Sequence, residues 1–367
     1  MPKMPRLLRK VAVPLVSLTV FLEDILIILG GQWVWLHVLS PGQRLQKLLD
    51  GSKRAFIALL ATILELVAPS QVRITADSAS VPPGTFKVDP RTHSVSSLLL
   101  PRSIAISNHQ IYTDWVFLWW LAYTGDLGGR VYIMLKKSLE KVPLLGFGMQ
   151  NYRFIFMSRK WQHDQETLVH RLGELDASPL PYNLILFPEG TNFTANTRGK
   201  SQVFGAKVGK APLDHALLPH TTGLRQCILS LRPSLDVLYD VTMGYSGVAA
   251  NEYAESAYGL KDIFLEGKYP RLVDIHVRAF KVQDIPVDDE QQFDLWLDRV
   301  WREKDALLAG YYREGSFFTD ATSQHSVVGA FSVSRWERGL VLLVPAITGL
   351  LGLWFLFTIL RWFLAFF

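Results

Sequence analysis

Cysteine is almost missing from this chain: Cys227 is the single one in 367 residues. That excludes a disulfide framework, a cysteine-based zinc site and an iron–sulfur cluster. Glycine (26) and proline (19) are too few for a collagen-like or low-complexity chain. No G-x-S-x-G elbow occurs, since Gly244-Tyr245-Ser246-Gly247 falls one residue short, which argues against a covalent serine intermediate. Gly146-Phe147-Gly148 lacks both the third glycine of a dinucleotide fingerprint and the lysine of a phosphate loop. Charge is sparse too, at 19% of residues, and positive charge exceeds negative by only 38 − 33 = 5. So small an excess suits an anionic lipid surface or a phosphorylated substrate as well as nucleic acid. What is abundant is apolar mass: 49% hydrophobic residues, with 11 Trp and 21 Phe, exclude disorder. The composition describes a globular domain carrying a few membrane-seeking segments.

Three apolar runs open the chain. Lys3, Arg6, Arg9 and Lys10 precede Val11–Leu22; Glu23 and Asp24 interrupt; Ile25–Leu39 and Ala55–Ala68 follow. No small-x-small cleavage site separates them, so residues 1–69 read as retained, membrane-embedded helices forming a hairpin. At the other end, Gly339–Leu360 holds no charged residue. Its 22 residues at about 1.5 Å each reach roughly 33 Å, the thickness of a hydrocarbon layer. Residues 339–367 therefore read as a C-terminal transmembrane segment, with Pro345 and Gly349 leaving a re-entrant hairpin as the alternative.

Between these ends, short apolar runs bounded by turn residues read as strands: Ser103–Ser107, Val131–Leu135, Phe154–Met157, Leu184–Phe187, Leu235–Met243 and Leu272–Phe280. Helical patterns at Trp115–Tyr123 and His163–Leu175 intervene, which makes residues 70–285 an α/β domain. The Trp115–Trp120 aromatic run reads as core or membrane packing. From Gln292 to Tyr312, Phe293, Leu297, Val300, Trp301, Leu308 and Tyr311 recur at helical spacing. Residues 286–338 accordingly form a helical extension whose apolar face packs on the main domain.

Two motifs carry chemistry. In Ser107-Asn108-His109-Gln110-Ile111-Tyr112-Thr113-Asp114-Trp115, an apolar strand precedes and an apolar helix follows. On one helix, residues five apart lie about 140° around the axis, so a working His109–Asp114 pair needs His109 in a loop, Thr113 as N-cap and Asp114 in the first turn. From there the carboxylate orients the imidazole, which suits a general base acting on a hydroxyl. Phe187-Pro188-Glu189-Gly190-Thr191 then ends a strand at the carboxyl edge, where open α/β sheets collect ligands. Pro188 and Gly190 force a tight turn that presents Glu189. Between them Phe154–Met157 runs into Ser158-Arg159-Lys160, a basic pair suited to a phosphate. His215 and His220 lie five apart with no cysteine nearby, and no metal site is expected.

The order of these blocks resembles the glycerolipid acyltransferase family, the lysophosphatidic acid acyltransferases and their relatives. The likeness covers roughly residues 100–245: the His-x4-Asp block, the strand ending at Arg159, the FPEGT block, and Leu218-Pro219-His220-Thr221-Thr222-Gly223. Further features are similar to the lysocardiolipin and lysophosphatidylinositol branch: Leu135-Lys136-Lys137-Ser138 leading to Pro143, Gly146 and Gly148, then Arg159-Lys160-Trp161, and downstream Trp296, Trp301, Lys304-Asp305, Tyr312, Gly315 and Phe317. NHQIYTDW looks most like fungal enzymes that remodel the sn-1 chain of phosphatidylinositol.

The resemblance implies a mixed sheet with flanking helices and acyl transfer from acyl-CoA, a co-substrate with no cofactor, to a lysophospholipid hydroxyl. It assigns catalysis to His109 and Asp114, and acceptor binding to Arg159, Glu189, Gly190 and Thr191, with Asn108 shaping the site. Lys136, Lys137, Lys200, Lys207 and Lys210 are candidates to attract the CoA phosphates. The implied partners are acyl-CoA, a lysophospholipid and the bilayer, with no nucleic acid, in the endoplasmic reticulum membrane and secondarily on lipid droplets. One departure matters: many lysophosphatidic acid enzymes carry Arg directly after FPEGT, where this chain has Asn192. A bare phosphomonoester calls for that cation more than a headgroup-bearing phosphodiester does, so lysophosphatidylinositol is the expected acceptor and lysophosphatidic acid the alternative. A non-catalytic lipid-binding protein is the rival from another class, and thioester hydrolysis a third reading.

Overall fold

The computed structural model describes residues 6–158, 160–318 and 324–364. Two helices, α1 (Arg6–Val38) and α2 (Gln43–Val67), lead into β1 (Gln71–Asp77), the small pair β2 (Phe86–Val88) and β3 (Val95–Ser97), and β4 (Arg102–Ser107). Then follow α3 (Asp114–Thr124), β5 (Val131–Lys136), α4 (Leu145–Asn151), β6 (Ile155–Met157), α5 (Trp161–Asp176) and β7 (Tyr182–Leu186). The second half comprises α6 (Ala195–Val208), α7 (Thr221–Leu231), β8 (Val237–Tyr245), α8 (Ala254–Ala257), β9 (Leu272–Lys281), α9 (Glu290–Glu314), β10 (Gln324–Ala330) and α10 (Arg335–Leu364). All six expected strands and the three expected domain helices are present, with no end shifted by more than two residues.

The main sheet is mixed, in the order β10-β1-β9-β8-β4-β7-β5-β6. From β8 to β6 every neighbour is parallel, whereas β9 runs antiparallel to β8. The carboxyl ends of β8, β4, β7, β5 and β6 therefore meet at one edge. Alternation along the strands divides two cores. Ile104 and Ile106 of β4, with Leu184 and Leu186 of β7, pack toward α5, α7 and α9. Ala105 and Ile185 face the opposite way, toward α2 and α3. Outside the expected set lie β1 and β10, whose pairing joins residues about 250 positions apart, as in Gln71 with Ala330.

Among the described residues, two helical stretches are long and apolar enough to cross a membrane: Lys10–Val38 and Arg335–Ile359, with mean hydropathies of 2.2 and 2.4. The first two apolar runs form the single helix α1, with the Glu23–Asp24 pair inside it. The hairpin is made instead with α2, and α2 buries Ile57, Leu59 and Ala61 completely against the domain core. Pro345 lies inside a continuous α10, so that segment is one helix and not a re-entrant pair. Polar contacts pin α1: Gln32 donates to Ser52 of α2 and accepts from Asn151 of α4, both at 3.0 Å, while Thr348 of α10 donates to Glu23 at 2.9 Å. Trp119 and Trp120 are fully buried, their indoles donating to Gly128 O (2.7 Å) and Ser332 O (2.8 Å), in keeping with core packing.

The extension helix α9 begins on an Asp289 cap, whose carboxylate accepts from Gln291 N and Gln292 N, and lays its apolar stripe on the sheet. It is locked there by a buried ionic cluster. Lys304 Nζ lies 2.7 Å from Asp240 of β8 and donates to Val241 O at 2.6 Å, while Arg278 of β9 donates to the other Asp240 oxygen at 2.6 Å. Burial alone would raise the Asp240 carboxyl, but Lys304 and Arg278 hold it below its ordinary range. Removing one partner of such a cluster strands a buried charge, at a cost of about 3–5 kcal/mol. Lys304→Met should therefore lose stability of that order in urea unfolding followed by tryptophan fluorescence in detergent. The pair Lys304→Met with Asp240→Asn should recover much of the loss; equal losses in single and double variants would contradict the assignment.

Candidate active site

Strand β4 ends at Ser107, and the two residues beyond it do different jobs. Asn108 is fully buried, donating through Nδ2 to Met243 O (3.0 Å) and accepting from Met243 N (2.9 Å). Its amide continues the β4–β8 ladder by one step, so it holds the loop and does not line the cavity. His109 then projects from the sheet edge, its ring stacked on Phe187 at a centroid distance of 4.3 Å. Nδ1 lies 2.8 Å from Asp114 Oδ2. A carboxylate only accepts, so Nδ1 carries the proton and Nε2 is the basic nitrogen.

Asp114 opens α3, and its environment explains the His-x4-Asp spacing. The same Oδ2 accepts from Gln110 N (2.6 Å) and Ile111 N (3.0 Å), which closes the intervening loop into a tight turn around the carboxylate. Thr113 occupies the N-cap position, but its hydroxyl makes no capping bond. The other oxygen accepts from Tyr245 Oη at the end of β8. Burial, reinforced by the Asp114 charge, pushes the Tyr245 phenol well above its ordinary range and keeps it a donor. Tyr245 lies 131 residues along the chain from its partner, so no local pattern announces it. The available signal was that a strand beside β4 ends in a polar aromatic at the same edge.

The FPEGT turn leaves β7 next to His109. Gly190 sits at φ 70°, a left-handed conformation that favours glycine, and a Cβ there would lie 3.4 Å from His220. Phe193 N donates to His109 O at 2.7 Å, tying turn and loop together. Glu189 is 3% exposed; Oε1 accepts from the Trp301 indole of α9 at 3.3 Å, and Oε2 has no hydrogen-bond partner among the described residues. Burial raises its carboxyl to about 8, against the pull of the Trp301 indole, the His109 and Leu217 amides and the Lys304 charge. The extension helix thus reaches the site from beneath, through Trp301 and Lys304.

His109, Glu189, Gly190 and Thr191 line one cavity of about 1460 Å³. At its polar end they are joined by Asn192, His220, Lys136 and Ser138; the remainder is mostly apolar, running between Phe21, Ile25 and Leu29 of α1 and Phe56, Leu60 and Ile63 of α2. Trp115 also lines it, unlike the deeper tryptophans of α3. A polar head and a long apolar tail in one cavity match an amphiphile with a single chain or two. Asp114 stands behind His109, away from the cavity. Arg159 lies outside the described residues; on either side of it, Ser158 N and Lys160 N donate to the Asp164 carboxylate at 2.9 and 3.2 Å. Of the lysines, Lys136 lines the cavity, whereas Lys137 pairs with Glu140 and Lys210 with Asp294, both at 2.7 Å.

The Acyltransferase family matches residues 92–246 and the Acyltransferase C-terminus family residues 264–334. The chain is 49% identical to a Saccharomyces cerevisiae protein named 2-acyl-1-lysophosphatidylinositol acyltransferase, over 94% of this chain and 96% of that one. It is 29% identical to lysocardiolipin acyltransferase 1 of Gallus gallus, over 84% and 76% of the two chains. The solved structure of the 1-acyl-sn-glycerophosphate acyltransferase PlsC from Thermotoga maritima is similar with a TM-score of 0.49 at 13% identity, covering 83% of this chain and 98% of that one. Its sequence matches over most of its length show that this chain belongs to the acyltransferase family and is an acyltransferase.

Proposed function

We propose that the protein is an acyl-CoA-dependent lysophospholipid O-acyltransferase of the endoplasmic reticulum membrane, with lysophosphatidylinositol bearing a free sn-1 hydroxyl as acceptor. The observation that carries it is the His109–Asp114 pair at the polar end of an otherwise apolar cavity. The acceptor headgroup rests on the likeness to the yeast lysophosphatidylinositol enzyme and on Asn192 where a second cation would suit a phosphomonoester. In the reaction, His109 Nε2 takes the proton of the lysolipid hydroxyl as that oxygen attacks the thioester carbonyl. The tetrahedral intermediate collapses, the C–S bond breaks, and the departing CoA sulfur takes the proton back from His109. Asp114 stabilises the imidazolium between these steps. Arg159, Glu189 and the Gly190–Thr191 backbone position the acceptor's glycerol and phosphate.

Thiol release from stearoyl-CoA, measured with a panel of lysophospholipids and a no-acceptor control, tests this reading. Release that depends on lysophosphatidylinositol supports it. Preference for lysophosphatidic acid moves the enzyme to phosphatidic acid synthesis, and release without acceptor makes it a thioesterase. His109→Ala should cost about 10²–10⁴-fold in rate with folding retained.

Tyr245→Phe removes one donor from Asp114, leaving a carboxylate that stabilises the imidazolium more strongly. The acid limb of the kcat/KM profile should then move to higher pH; a fall in rate with an unmoved limb would mean that Tyr245 only supports packing. Glu189 makes a third prediction. Its carboxyl titrates near 8 when folded and near 4.5 in the unfolded chain, which therefore gives up its proton first. Its contribution to stability is greatest below pH 4.5, declines as pH rises through the interval to about 8, and is level above. Glu189→Gln should abolish that decline, read as the wild-type-minus-variant difference in melting temperature across the interval. A constant difference would refute the raised carboxyl.

A further inference from the structure

Between β5 and α4 the chain leaves the sheet edge for a short excursion over residues 137–144 before α4 begins. Its conformation is tightly determined. Leu145 N donates to Pro143 O at 2.7 Å, closing a three-residue turn in which Leu144 sits at φ 62°, a backbone region that side-chain-bearing residues rarely adopt. Gly146 has no room for a Cβ against the Glu140 carbonyl, and a Cβ on Gly148 would come within 2.8 Å of Leu29 of α1. With Asn151 donating to Gln32, these contacts fix α4 along the Leu29–Gln32 stretch of α1.

What this rigid segment exposes is unusual for a water-facing loop. Leu139, Leu144 and Phe147 are 38%, 48% and 39% exposed. Around them lie Lys136 and Lys141, exposed and with no ion-pair partner among the described residues. Along the same stretch of α1, Leu26 and Trp33 are exposed as well. Leucine and phenylalanine set among unpaired lysines form the pattern of an element lying at headgroup level: the apolar side chains enter the acyl boundary and the ammonium groups meet lipid phosphates. Strain held at the tip that presents Leu144 is the kind retained where a surface has work to do.

We propose that residues 137–147 are an interfacial lipid-contact element, seated in the headgroup layer beside α1. Ser138 and Leu139 of the excursion, with Lys136 at the end of β5, line the cavity, so its mouth opens at the bilayer surface, where a lysophospholipid already lies. The partner is the phospholipid monolayer itself. This inference rests on the membrane-embedded reading of α1, and its test keeps the two apart.

Cys227 is fully buried, so one introduced cysteine on the full chain takes a fluorescent label. Phe147→Cys, with Leu144→Cys as a second site in case the first does not fold, would carry an environment-sensitive nitrobenzoxadiazole. The protein sits in nanodiscs of phosphatidylcholine with a minority of phosphatidylinositol, with and without nitroxide on the lipid chains. Leu26→Cys reports on α1, and Val169→Cys on α5, across the sheet, serves as the water-exposed reference. The expected result is blue-shifted emission at position 147, mostly lost to nitroxide lipid, as at position 26, with position 169 unaffected. Quenching at 26 but not at 147 overturns this proposal alone. No quenching at either position overturns the membrane reading of α1 with it. A blue shift at 147 that nitroxide lipid leaves intact indicates a protein contact, such as a second copy, and also overturns it.

Discussion

A carboxylate removed entirely from water must have its charge met by donors, and Asp114 collects four of them: the His109 imidazole, the Gln110 and Ile111 amides and the Tyr245 phenol. They come from the loop after β4, the approach to α3 and the end of β8. The position of His109 therefore depends on the pairing of β4 with β8, which Asn108 extends by one step. Any shift in that register would move the imidazole and break the ring of donors together. The pair is a product of the sheet as much as of its motif.

The FPEGT turn depends on a different part of the chain. Glu189 occupies a pocket closed from below by Trp301, and α9 is held in place by the Asp240–Lys304–Arg278 cluster. A helix more than a hundred residues downstream thus sets the polarity around the FPEGT turn. Its burial keeps the Glu189 carboxyl protonated at neutral pH, and the same burial makes the ionic cluster beneath it costly to break. Catalytic edge and C-terminal extension form one packed unit.

The apolar ends of the chain are likewise part of the site. α1 and α2 supply the walls of the cavity that continues from His109, so a helix apolar enough to cross a membrane also encloses space beside the site. An amphiphile can then place its reactive hydroxyl at the base while its chain remains in apolar surroundings. α1 also packs along α4, where Leu29 lies beside Gly148 and Gln32 accepts from Asn151.

Much of this could be read from the sequence, wherever the determinant is local. Short continuous apolar runs marked the six strands, because helices cover both faces of the sheet that they form. The His-x4-Asp spacing called for a loop followed by a helix start, and Pro188 and Gly190 for a tight turn, since backbone sterics act over a few residues. The 3.6-residue period of Phe293, Leu297, Val300, Trp301 and Leu308 marked α9 as a packing helix. What the tertiary structure decided has a common character: it concerns the partner of a surface whose nature was already evident. An apolar stripe looks the same whether lipid or protein covers it, so α2 became a core helix and α1 a cavity wall without any change in pattern. Asn108, expected to shape the site, completes a ladder, because an amide pairs equally well with ligand or backbone. Tyr245 joined Asp114, and β10 joined β1, across long stretches of sequence that carry no periodic signal. Local propensity fixes what a residue can bond; only the folded chain fixes what comes within reach, since burial and hydrogen bonding are satisfied between neighbours in space.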